Sequence, residues 1–470
     1  MPGAHTFYDG STVLQPLAAK IGVDVDKVNF TLCMFSFLPI AYIYRRYFPA
    51  GKVSRNVRST FPLAVGLMIS FFCFGRAMKH LLTNAFISYI LMQKSPVSRV
   101  HIVVFSFSMS YLLWIHFYRW LILDSFSLDI TGPMMVAVQK ITTLAFNLHD
   151  GKGRNEEDLS EIQKKEAIRE IPSLLDYLSF VFNFQTTLTG PINFYADYSK
   201  FLDGEHVVPD HNGKLPCPES IAWKKFFESL LYLLIIVTLG NIYKPDQILS
   251  EEFLALPYMQ WFFWWFFTIF LIRFNYYFAW TFADSVCNMS GFGFSGYDEH
   301  NEATWELCTN VKPWKVEMAQ SFKETLDNWN ILTGGWFRRV AYDRTPTKIR
   351  TFATYLLSAV WHGISAGYYM TFFTGALMTL AGSTFRRCVR WRFLENTTKK
   401  ALYDAVCFIG AKVVLAYTTY PFVAMNFGPS FFVYRRIFFI GHIIALLVHF
   451  VLPRFVRPQK STKPETKKAL

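Results

Sequence analysis

The chain alternates long apolar runs with short basic or mixed-charge segments. The clearest runs with few or no charges are Val28–Tyr44, Val100–Tyr118, Phe226–Leu239, Phe253–Ile272, 351–382, Ala405–Met425 and Ile437–Leu452. Weaker ones, interrupted by polar groups, lie at Phe61–Gly75, His80–Leu91, Gly132–Leu148 and Leu174–Gly190. A helix needs ~20 apolar residues to cross a hydrocarbon core of about 30 Å, and this pattern predicts about ten or eleven crossings. Lipid offers backbone N–H and C=O groups no partner, so such runs must be helical. The expected fold is an all-α, polytopic membrane bundle enclosing a chamber, with residues 1–470 forming a single membrane domain.

The run from Thr351 to Gly382 has 32 residues and no Asp, Glu, Lys or Arg. At 1.5 Å per residue one helix of that length reaches roughly 48 Å, long for one upright crossing and short for two. Either a tilted helix or one broken near Gly363 and Gly367 fits. The stretches 149–170 and 205–220 read as polar loops.

Composition agrees with a membrane protein: 52% of residues are hydrophobic and 17% charged, against roughly 25% charged in soluble domains. The net charge of +13 does not point to nucleic acid, because the basic residues sit in short loops between apolar runs, as the positive-inside rule requires. Arg45–Arg58, Arg386–Lys400 and Arg454–Lys468 are thereby placed in the cytosol, with a turn at "NFGPS" (426–430) on the opposite side. The first twenty residues lack a basic end followed by an apolar stretch, so a cleavable signal peptide is not expected. The tail 454–470 ends in "KKAL", which places Lys467 and Lys468 in the di-lysine pattern that retrieves membrane proteins to the endoplasmic reticulum from a cytosolic C-terminus. The seven cysteines include no C-x-x-C pair and no metal-ligand spacing, so neither a disulfide framework nor a metal site is expected.

Two motif matches carry no chemistry here. "GFGFSG" (291–296) fits a dinucleotide fingerprint, but that motif needs a βαβ setting and here follows an aromatic membrane run. "GISAG" (363–367) fits a nucleophile elbow, which needs a strand-to-helix turn on an α/β sheet. Small residues in a membrane helix serve close packing instead.

His362 is the only imidazole in the uncharged 351–382 run. A polar side chain at membrane depth is costly and marks a functional site or a packed, hydrogen-bonded core position. Helical spacing would put Ser358, Ala359, Ser365, Ala366 and Tyr369 on its face. A neutral imidazole accepts a proton near pH 7. Upstream, "DNWNILTGGWFRRVAYDR" (327–344) runs amides and Trp into a basic cluster of Arg338, Arg339, Arg344, Lys348 and Arg350. That cluster reads as a membrane-surface segment with snorkelling arginines or as a mouth for a phosphorylated co-substrate.

"DNWNILT" (327–333) followed by "SAVWHGISAGYY" (358–369) resembles the membrane-bound O-acyltransferases, specifically their lysophospholipid acyltransferase branch. "GPMMVAVQKITTLAFNLHDG" (132–151), "LTGPINFYADY" (188–198) and "NYYFAWTFADSVCNMSGFGFSGYDE" (275–299) are similar to the vertebrate members that reacylate lysophosphatidylethanolamine and lysophosphatidylserine. The resemblance implies an enzyme of the endoplasmic reticulum that uses acyl-CoA as co-substrate, holds no bound cofactor, and reacylates a lysophospholipid of ethanolamine, serine or choline at its free glycerol hydroxyl. It also implies a catalytic pair, Asn330 in N-x-x-T and His362 in W-H-G. Arg338, Arg339, Arg344 and Lys348 are then candidates for the CoA phosphates, and Trp329, Ser358, Trp361 and Tyr369 for the chamber lining. No histidine is followed by Asp five residues on, which argues against the H-x-x-x-x-D acyltransferases. A relative that acylates a peptide or sterol would carry the same pair. A transporter would show repeated halves or several intramembrane charges, and neither is evident.

Overall fold

The computed structural model describes residues 9–122, 128–211 and 213–458. Helices make up nearly all its regular structure. Among the described residues, β pairing is limited to Gly296–Tyr297 against Ala303–Thr304 and one isolated bridge between Ala50 and Val53. The architecture is the all-α, polytopic one that the apolar runs predict.

Among the described residues, four helical stretches are long and apolar enough to cross a membrane: Val25–Tyr47, Arg55–Lys94, Val100–Leu121 and Thr397–Ala424. Phe427–Arg436 and Ile440–Phe455, bent by 75°, make a fifth if the pair is one span. This is fewer than the count of apolar runs. Phe61–Gly75 and His80–Leu91 fall within one stretch, joined through a single 3₁₀ turn at Gly75–Ala77. Leu174–Gly190 is helical only to Phe182 and continues as buried irregular chain. Tyr258–Met289 and Ala366–Val389 are long enough, but Trp and Tyr in the first and Gly and Thr in the second dilute their hydropathy. The expected span Ile437–Leu452 starts later: Phe438 and Phe439 have φ of 55° and 51°, so the helix begins at Ile440.

The chain forms two compact units, described separately. The first comprises residues 1–230 and 278–310. Its central helix, Thr131–Gly153, packs along Val100–Ile122 and has 16 of its 23 residues buried. A helix enclosed on all sides must satisfy its polar groups internally. Lys140, fully buried, donates from Nζ to the carbonyls of Phe180 (3.0 Å) and Val181 (3.1 Å) and to Thr186 Oγ1 (2.6 Å). It thus caps the C-terminal carbonyls of Leu174–Phe182. The 149–170 stretch is more ordered than a loop. The central helix runs into it, and Ser160 and Gln163 form a reciprocal capping box that starts Glu161–Glu166.

The second unit comprises residues 231–277 and 311–470. Ala366–Val389 lies against Arg350–His362, Thr397–Ala424, Phe427–Arg436 and Ile440–Leu446. Its core is aromatic, built around Trp261, Trp265, Tyr417, Tyr420 and Tyr434. The uncharged 351–382 run is a broken helix. Arg350–His362 ends at Gly363, whose φ of 126° and ψ of −161° belong to glycine, and a new helix starts at Ala366. The "NFGPS" stretch does turn: Met425 has φ 59°, and the chain re-enters a helix at Phe427.

Candidate active site

His362 is the last residue of its helix and is half-buried in an aromatic enclosure. Its ring lies 4.6 Å from Trp361, 4.9 Å edge-on to Phe422, 5.2 Å stacked on Phe372 and 5.6 Å from Tyr368, measured between centroids. The helical-wheel expectation fails on one side of the break. Ser358 is buried on the helix that carries His362, but Ser365, Ala366 and Tyr369 belong to the next segment. Tyr368 and Phe372 therefore meet the imidazole, while the Tyr369 ring pairs with Phe373 at 6.3 Å.

Asn330 opens the helix Ile331–Val340 from the left-handed region, with φ 50° and ψ 48°. Asparagine tolerates that conformation better than other non-glycine residues. Its carbonyl accepts from Gly334 N at 2.9 Å, the first bond of the helix. Trp336 of that helix, fully buried, packs on Trp361 at 5.7 Å, and Phe337 meets Trp361 edge-on at 6.1 Å. The helix that starts at Asn330 is thus docked on the tryptophan that precedes His362. Trp329 contacts Tyr276 (5.4 Å) and Tyr277 (5.8 Å).

The basic cluster is partly folded onto its own backbone. Arg339 Nη1 donates to Gly335 O at 2.9 Å, within its own helix, and Arg344 Nε donates to Arg339 O at 2.6 Å, at the C-terminal end of Ile331–Val340. Arg338 pairs with Asp343 at 3.1 Å, and Arg350 lies over the Tyr342 ring at 4.5 Å. Lys348 is exposed. Ser365 sits at the N-cap of Ala366–Val389, between two helices and not on a sheet. "GFGFSG" follows the helix Tyr258–Met289 and leads into the two-residue hairpin, so no βαβ setting surrounds it.

A second imidazole in an apolar helix escaped the motif reading. Tyr417 Oη lies 2.6 Å from His442 Nδ1, and Thr374 Oγ1 lies 3.1 Å from Nε2 and 3.2 Å from Tyr434 Oη. A cavity of about 510 Å³ adjoins this group, walled by Met370, Phe373, Leu377 and Phe439. The signal was present in "GHIIALLVHF" (441–450), an apolar stretch with two histidines.

The fold and site define a polytopic helical membrane protein with an imidazole enclosed by aromatic rings at a helix break. The sequence profile of the membrane-bound O-acyltransferase family matches residues 115–419, and the chain belongs to that family. It is 38% identical over 96% of its length to lysophospholipid acyltransferase 6 of Drosophila melanogaster. It is equally similar, over 98% of its length, to membrane-bound glycerophospholipid O-acyltransferase 2 of Rattus norvegicus. Identity to the lysophospholipid acyltransferase of Schizosaccharomyces pombe is 31% over 94%. The chain spans 65% of the fruit-fly protein, 91% of the rat protein and 89% of the yeast protein.

Proposed function

We propose that this chain transfers an acyl group from acyl-CoA to the free glycerol hydroxyl of a lysophospholipid, with His362 as general base and Asn330 serving the thioester carbonyl. The observation that carries the reading is the docking of the Asn330 helix, through Trp336 and Phe337, onto Trp361 beside His362. The family membership and the names of its relatives support the substrate class. Among the headgroups, ethanolamine or serine is favoured by the long motifs shared with the vertebrate members.

A thioester is already activated, so a positioned hydroxyl can attack it directly. The imidazole takes the hydroxyl proton as the oxygen bonds to the acyl carbon. The carbon–sulfur bond then breaks, and the proton passes from the imidazolium to the departing thiolate. Such base catalysis is typically worth about 10²–10⁴-fold. The Asn330 amide would donate to the carbonyl oxygen as it gains charge, a contribution of the order of 10²–10³-fold. The aromatic enclosure keeps water from competing for the thioester. Arg338, Arg339, Arg344 and Lys348 remain the proposed contacts for the CoA phosphates, with Lys348 the exposed one among them. The endoplasmic reticulum is the proposed location, with the C-terminus in the cytosol.

The test is a panel of lysolipids with labelled acyl-CoA, using microsomes and then purified protein. Acylation of lysophosphatidylethanolamine or lysophosphatidylserine is expected. Acylation of only a sterol or a peptide would overturn the substrate assignment.

A further inference from the structure

The helix Tyr258–Met289 presents Arg273, Tyr276 and Tyr277 on one face, at spacings of three and four residues. All three reach the segment that delivers Asn330. Arg273 makes a two-pronged contact with Glu317, Nε to Oε1 and Nη2 to Oε2, both 2.9 Å. Tyr277 Oη donates to the same Oε1 at 2.5 Å. Tyr276 and Tyr277 also meet the Trp329 ring edge-on, one residue before Asn330.

Glu317 ends the short helix Pro313–Glu317, and Phe322–Asp327 follows it. The loop they build closes on itself, because Lys312 N donates to Asn328 O at 3.0 Å. Lys412 Nζ donates to Val316 O at 2.7 Å and pins the loop beside Glu317 from a third helix. The segment 312–330 is therefore held at Glu317 and at Trp329 by one helix face, and Asn330 is its last residue before Ile331–Val340 begins.

Arg273 is 6% exposed, and burying a charge costs several kcal/mol that the ion pair must offset. Well-packed apolar side chains would be as stabilising. What they would not supply is direction: a guanidinium fork fixes the plane and distance of its carboxylate.

We propose that Arg273, Tyr277 and Glu317 are positioning residues for Asn330: they fix the register of the 312–330 loop so that the Asn330 side chain is held at the reacting carbonyl. This rests on Asn330 acting in the reaction, as proposed above.

The test separates positioning from scaffolding by removing both charges. The double substitution Arg273→Met with Glu317→Met is made in the full-length protein, alongside Asn330→Ala and the triple variant. Folding is read by monodispersity in detergent and thermal midpoint, and turnover by steady-state kinetics with acyl-CoA and lysophosphatidylethanolamine. The expected result is a folded double variant with kcat lower by about 10–100-fold, since roughly 1 Å of misplacement can cost 10²-fold. KM for acyl-CoA should stay near the wild-type value. Adding Asn330→Ala to the double variant should cost much less than Asn330→Ala costs the wild type, because the residues act as a unit.

Wild-type kcat in the folded double variant, with Asn330→Ala slow, overturns the positioning role and leaves the Asn330 assignment intact. Wild-type kcat in Asn330→Ala overturns the assignment itself. Should the double variant not fold, Tyr277→Phe keeps the ring on Trp329 and the ion pair and removes one bond to Glu317. A several-fold lower kcat supports the proposal, and an unchanged one overturns it.

Discussion

At the scale of single residues, His362 and Ser365 lie three positions apart and should behave oppositely. His362→Ala removes the group proposed to take the proton and is expected to nearly abolish turnover while acyl-CoA still binds. Ser365→Ala removes a hydroxyl that makes no side-chain cap bond, and its cost should not exceed about 1–2 kcal/mol of hydrogen bonding and packing. Mass spectrometry of enzyme held with acyl-CoA and no acceptor should show no covalent acyl group. A stable adduct lost in Ser365→Ala would replace direct transfer with an acyl-enzyme. Lys140 offers a test outside the site. Lys140→Met removes a donor from the carbonyls of Phe180 and Val181. Phe180 O keeps Asn183 Nδ2 at 2.8 Å, so the expected cost, about 1–3 kcal/mol for a buried group left unmatched, falls on Val181 O. A thermal midpoint equal to wild type would show that this carbonyl finds another partner.

At the scale of elements, the sequence is most legible where an apolar run is long. Val25–Tyr47, Val100–Ile122 and Thr397–Ala424 fall where the runs predict them. Legibility fails where tertiary contact decides. Nothing local in Leu174–Gly190 says that the chain leaves the helix after Phe182. The Ser160–Gln163 box was legible as S-x-x-Q but was hidden by the charges around it. The choice of His362 and Asn330 came from motif resemblance, whereas the set of side chains around the imidazole needed the break at Gly363, which a helical wheel cannot include. Gly367 is the element-scale prediction. Its N–H donates to Met425 O at 2.7 Å, and a Cβ there would meet Pro421 O at 2.1 Å and Met425 O at 2.7 Å. Both obstacles are backbone, so Gly367→Ala must push Ala366–Val389 away from the end of Thr397–Ala424. A loss of about 1–3 kcal/mol is expected, as for other overpacked sites. It should appear as a lower thermal midpoint in detergent, and an unchanged midpoint would mean that the two helices separate at no cost.

At the scale of the whole molecule, the proposed cytosolic placement of the C-terminus rests on charge asymmetry, and Lys467 and Lys468 lie outside the described residues. If the di-lysine pattern is read as a retrieval signal, Lys467→Ser with Lys468→Ser should send a protein tagged away from its C-terminus forward to the Golgi. Unchanged reticular staining of that double variant would count against the signal.

The break at Gly363 also bears on how such a protein can change over generations. Within one continuous helix, each residue's direction is locked to the next by about 100°, so inner and outer faces keep a fixed relation along its whole length. Here the phase restarts at Ala366. The helix Ala366–Val389, with Phe373 and Leu380 on its exposed side, can change those outer residues without turning the helix that carries His362. The inner residues Tyr368 and Phe372 of Ala366–Val389 stay tied to the His362 ring at 5.6 and 5.2 Å. The enclosure of the imidazole thus limits how far this helix can change, and only the backbone that carries His362 is set apart by the break.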